Sequence, residues 1–162
     1  MNNRFLVAFG VGIAVIAVAV CGILYMQRGA RVGVTGQILK VRTAPLDDNS
    51  SVAVIDFRFV NPADVVFVVH TVSVLMEDKA GTQYTSSTIS DMDATRLFEG
   101  LPLLGQKYND TLVIRDKIPS RASMDRMVAA RFEAPESKLE SRKRFLIRIE
   151  DVDGPVSELS EK

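Results

Sequence analysis

One cysteine, one histidine and no tryptophan occur among the 162 residues. A lone Cys21 excludes an intrachain disulfide framework and a cysteine-based zinc cluster. A lone His70 excludes a histidine-rich metal site and leaves one candidate for the commonest general base. No serine stands in a Gly-x-Ser-x-Gly elbow, and neither a Gly-x-Gly-x-x-Gly fingerprint nor a phosphate loop ending in Gly-Lys-Ser/Thr occurs, so nucleophilic hydrolysis and nucleotide chemistry lack support. An excess of one charge is missing too. Twenty Lys plus Arg stand against 20 Asp plus Glu, which leaves no electrostatic footprint for nucleic acid. The length accommodates one domain.

What is present first is a run of 22 uncharged positions, 5–26. About 20 apolar residues at about 1.5 Å each cross a bilayer's hydrocarbon, so this run predicts a single transmembrane helix. A cleaved signal peptide competes, because Arg4 precedes the run and Ala17-Val18-Ala19 is a small-x-small pattern. The apolar stretch nevertheless continues through Val20 to Tyr25, past the usual stop. Val18-Ala19-Val20-Cys21-Gly22 is close to a lipoprotein signal, with Val20 where a small residue is wanted; the alternative is that Cys21 is a small apolar helix residue. Ala8, Gly10, Gly12 and Ala14 are small residues at spacings of four, candidates for close packing against a neighbouring helix or simply part of a lipid-facing surface. Arg4 flanks one end and Arg28, Arg31, Lys40 and Arg42 the other. Counting favours a cytoplasmic domain, whereas the common display of a β-domain behind an N-terminal anchor favours the outside, the periplasmic side, which is the expectation adopted.

Beyond a linker at 27–31, period-2 alternation predicts strands. Ala53, Ile55, Phe57 and Phe59 alternate with Val54, Asp56 and Arg58; Asn61-Pro62-Ala63-Asp64 breaks the pattern, and a second run at 65–76 ends at Asp78-Lys79-Ala80-Gly81, the two runs reading as a hairpin. Further strands are expected around Leu112 and Ile114, from Val128 to Phe132 and from Phe145 to Ile149, with weaker ones at 32–41 and 82–88. Seven short strands fit an antiparallel sandwich. Ser90 as cap, Asp91 and Asp93 in a first turn, and Ala94, Leu97, Phe98 and Leu101 at helical spacing predict a short helix closed by Gly100 and Pro102; a second turn is expected from Pro135. Both aspartates are expected to serve the helix dipole rather than a metal.

Three further features are weighed the same way. His70, between Val68 and Val72, is expected on one strand face as a rim residue or bonded to backbone. Asp151-Val152-Asp153-Gly154 has the opening of a calcium loop without its frame. Lys138, Arg142, Lys143 and Arg144 form the one basic cluster; anionic headgroups or an acidic partner are conceivable targets, but Glu136, Glu140 and Glu150 are expected to neutralise it.

Asp56-Phe57-Arg58-Phe59-Val60-Asn61-Pro62, followed by Val72-Ser73-Val74-Leu75-Met76-Glu77-Asp78-Lys79-Ala80-Gly81, resembles the late-embryogenesis-abundant type 14 domain. In that family an apolar strand runs into Asn-Pro and a second strand ends in an acidic turn closed by Gly. The resemblance covers 33–153 and implies a mainly β, seven-stranded antiparallel immunoglobulin-like β-sandwich with one or two short helices. It implies no catalytic residue.

The expected organisation is therefore a tail at 1–4, a transmembrane helix at 5–26, a linker at 27–31, a β-sandwich at 32–154 and a tail at 155–162. The expected function is a non-enzymatic, membrane-anchored interaction or scaffolding module without catalytic residues, cofactor or metal. Its expected partners are the bilayer and other membrane proteins, with no nucleic acid. Alternatives are an accessory subunit of a larger integral-membrane complex, with Ala8, Gly10, Gly12 and Ala14 as packing surface, and a carrier of lipid or a small ligand in a concave site.

Overall fold

The computed structural model describes residues 3–27 and 33–161, with the side chains of the first helix described over 9–25. Residues 28–31 of the expected linker, and residues 1, 2, 32 and 162, lie outside the described residues. Helix α1 is Asn3–Gln27. Among the described residues no helix is long and apolar enough to cross a membrane. That corrects the expected transmembrane helix at 5–26 and the single-pass localisation built on it.

Eight strands follow, one more than expected: β1 (Thr35–Asp47), β2 (Ser50–Val60), β3 (Phe67–Glu77), β4 (Gln83–Ser87), β5 (Lys117–Ile118), β6 (Ser123–Phe132), β7 (Arg144–Asp151) and β8 (Val156–Ser160). They form two antiparallel sheets. One has the order β1-β2-β6; the other runs β4-β3-β7-β8, with β5 also on β3. Three short helices complete the chain: α2 (Asp91–Gly100), a 3-10 turn at Pro102–Leu104, and α3 (Glu136–Glu140), one more than the one or two expected.

Three assignments change. β2 and β3 are no hairpin, because they lie in different sheets and Asn61-Pro62-Ala63-Asp64 is the crossover between them. The Asn61 side chain, fully buried, donates from Nδ2 to Val65 O (2.8 Å), Ile118 O and Pro119 O and accepts from Ala63 N, which satisfies main-chain groups that a crossover would otherwise strand. β2 pairs instead with β1, Asp47 standing opposite Ser50. The strand expected at Leu112 and Ile114 is only a single bridge, Thr111 to Met127, followed by β5 at Lys117–Ile118. β8 falls in the stretch expected to be a tail; it buries Ser157 and Leu159, so one of its two inward residues is polar and the alternation is weak.

Between the sheets, Phe57, Phe59, Phe67 and Phe145 pack with Ile55, Val74, Met76, Val128 and Ile147, all buried. The rings of Phe57 and Phe59 are centred 5.6 Å apart and those of Phe132 and Phe145 5.8 Å. A second cluster lies on the other face of the three-stranded sheet, where Ala44, Val52, Val54, Met127 and Ala129 meet Ala94 of α2 and Leu104. β2 is thus covered on both faces, which explains its nearly unbroken burial from Ser50 to Phe57.

Candidate interaction surfaces

The outer cluster is closed by a polar latch. Arg42 on β1 and Asp56 on β2 form an ion pair at 2.6 Å with side chains 9% and 5% exposed. Arg42 Nη1 also donates to Leu104 O and Gln106 O, both at 2.7 Å, while Asn109 Nδ2 donates to the second carboxylate oxygen of Asp56 at 2.8 Å. The guanidinium lies 5.1 Å from the Phe98 ring centre and 5.3 Å from that of Tyr108. One arginine therefore holds the 98–109 segment at four points. The start of α2 is tied to the same segment: Ser90 caps it by accepting from Asp93 N, and Lys107 donates to Asp91, which holds the Asp91 carboxyl below its ordinary range. Both aspartates serve the helix, as its first turn predicts.

The other titratable candidates are placed as follows. His70 lies outward on the side of Val68, by alternation with buried Phe67 and Val69, but not on that of Val72, which the register shift between Val69 and Thr71 returns to the inner face. The Arg142-Lys143-Arg144 cluster is neutralised by other carboxylates than the expected Glu136, Glu140 and Glu150. Arg142 binds Glu161 through two bonds (2.9 and 2.6 Å), and Lys143 and Arg144 share Glu77, each at 2.6 Å. Lys143 first, then Arg144, hold the Glu77 carboxyl below its ordinary range. Burial pushes Glu161 up, but Arg142 and the Phe145 N–H outweigh it, and the net shift is downward. Asp151 Oδ1 accepts from Val68 N (3.3 Å) and Asp153 N (3.4 Å), and Gly154 turns at φ +98°, so this stretch is the β7–β8 turn. Among the described residues no three His, Cys, Asp or Glu side chains are grouped to hold a metal.

α1 presents the opposite of a latched surface. Val11, Ile13, Val15, Ile16, Val18, Ile23 and Leu24 are each exposed by half or more. A Cβ added at Gly10, Gly12 or Gly22 would meet nothing within 4 Å. Ala14 is exposed as well, whereas the Ala8 side chain lies outside the described residues. Gly10, Ala14, Ala17 and Cys21 follow at steps of four, three and four, which puts them on one helix face.

The third surface is the seam where β4 approaches β6. Ile89 N donates to Ala129 O (2.8 Å), Thr88 bridges Ala130, and Ser86 Oγ donates to Arg131 O. Past that bridge the strands are unpaired, and a cleft of about 470 Å³ lies between Tyr84, Thr85, Ser86 and Ser87 on one side and Arg131, Phe132, Glu133 and Ala134 on the other. Periodicity gave no warning of this cleft, since it depends on which strand edges meet.

No protein family, curated protein or solved structure matches the chain, so these comparisons do not identify the late-embryogenesis-abundant type 14 domain that its motifs resemble.

Proposed function

We propose that this chain is a non-enzymatic interaction protein: a rigid two-sheet body joined to a partner polypeptide through the small-residue face of α1. The observation that carries the reading is the exposure of the described apolar side chains of α1, together with open space around Gly10 on the small-residue face. Contiguous apolar surface of this extent marks a contact site in a folded protein, and small residues at steps of three and four let a second helix approach closely. The carrier alternative has less support, because buried aromatic side chains fill the space between the sheets and the β4–β6 cleft is lined mainly by polar residues.

The test is recovery of bound partners from gently prepared native extracts, with full-length variants at equal level. Gly10→Leu and Ala14→Leu are expected to lose partners, while His70→Ala and the combined Arg142→Ala, Lys143→Ala and Arg144→Ala variant retain them. Retention by the helix variants with loss in the others moves the contact to the sheets and overturns the reading.

A further inference from the structure

The strand edges of this fold are not treated alike. β1, a 13-residue edge strand, carries Lys40, Pro45 and register irregularities at Ile38/Lys40 and Pro45/Asp47, devices that discourage another strand from adding there. β4 is Gln83-Tyr84-Thr85-Ser86-Ser87, with no charge, proline or glycine. Its outer edge opens on the cleft.

The direction of the main-chain groups follows from alternation along an antiparallel ladder. Asp78 N donates to Thr82 O (3.0 Å), so Thr82 faces β3, and Gln83, Thr85 and Ser87 turn their N–H and C=O away from it. On β6, Ala129 O faces the β4 side, where it accepts from Ile89 N; Arg131 faces the same way, and the strand ends at Phe132. The chain already uses most of this β6 edge itself. Leu112 N donates to Met127 O and Met127 N to Asp110 O, and Ile89 takes Ala129. Ser86 Oγ takes Arg131 O, so β6 has no free rung left before its end, and Gln83 and Thr85 on β4 are the open ones. Arg131 and Glu133 carry opposite charges two residues apart on one wall, and Thr85, Ser86 and Ser87 line the other with hydroxyls. The cleft is therefore polar and electrically balanced.

We propose that this cleft receives an extended, uncharged segment of a partner polypeptide, which adds as a strand through main-chain hydrogen bonds to Gln83 and Thr85 on the free edge of β4. Recognition of this kind reads the backbone and tolerates varied short side chains. A second folded copy fits less well, because the free rungs of β4 lie inside a cleft walled by Phe132, Glu133 and Ala134. The surface is separate from α1, so either contact can fail without the other.

The test selects a displayed library of random linear peptides against the full chain and follows the enriched synthetic peptide by amide hydrogen exchange. Slowed exchange at Gln83 and Thr85 is expected. N-methylation of alternate peptide amides should weaken binding about tenfold per bond lost, while N-methylation of the intervening amides should not. Thr85→Ala and Glu133→Gln, which keep the main chain, should bind as the parent does. Enrichment of no peptide, protection mapping elsewhere, or insensitivity to N-methylation would each overturn the proposal. So would protection of these amides that grows with protein concentration in the absence of peptide, since that assigns the edge to a second copy.

Discussion

The outer face of the three-stranded sheet and the surface of α1 are both apolar, yet only the first is covered by its own chain. Over Val52, Val54, Met127 and Ala129 the chain folds α2 and the 102–109 segment, and it fixes them with an arginine held by Asp56, two carbonyls and two rings. Along α1 the described apolar side chains, at 9–25, stay exposed. A chain that closes one apolar surface with an ion pair, two charge-assisted bonds to carbonyls and a second helix has the means to close apolar surface. The exposure of α1 is therefore best explained by a partner outside the chain.

The comparison can be broken first at the shared core. Phe57→Ala should cost about 3–5 kcal/mol, read as a lower denaturation midpoint, because a fully buried ring leaves a void between the sheets. An unchanged midpoint would mean that β2 does not face inward as described. Asp56→Ala removes one partner of a buried pair and should cost about 3 kcal/mol, the lower end for such losses, since Arg42 keeps two carbonyls and two rings. It should also raise binding of an apolar dye before global unfolding, as the latch loosens over Val52 and Val54. If it lowers the midpoint without that dye signal, the outer layer is no separable cover.

The latch was hardly legible in the sequence, and the reason is physical. Inward core residues of β2, β6 and β7 recur with a period of two, so Ile55, Phe57, Val128 and Ile147 announce their face. The cap at Ser90 is equally local, and α2 was readable from it. Arg42 and Asp56 meet only because β1 pairs with β2, and Leu104 and Gln106 reach Arg42 from more than 60 positions away. Neither β5, two residues long, nor β8, with an inward serine, offers a run that periodicity could detect. His70 was misplaced because a bulge shifts the phase of β3 within one strand. The basic cluster could be seen, but its counter-charges lie on β3 and after β8, out of view of local reading.

Smaller effects separate charges that are held from charges that are merely near. Glu77 has a depressed carboxyl in the folded state, so its contribution is present above the unfolded value of about 4.3 and is lost as pH falls through the folded value. A midpoint-against-pH series should accordingly fall less steeply on the acid side in Glu77→Gln than in the parent; parallel curves would contradict the pairing with Lys143 and Arg144. Arg58→Gln, which breaks a largely exposed pair with Asp125, should leave the midpoint within error. Gly10→Leu should not move it either, because an added side chain there meets nothing within 4 Å, and its effect should be confined to partner recovery.

The most direct test of a partner-covered α1 uses the chain's own cysteine, Cys21, which is exposed and lies on the face of Gly10 and Ala14. Maleimide labelling is compared for the purified full chain, the same chain in native extract, and the purified chain mixed with protein-free phospholipid vesicles. The account predicts rapid labelling when purified and with vesicles, and slow labelling in extract that becomes rapid in Gly10→Leu. Equal rates in extract and in isolation, or protection by vesicles alone, would contradict it.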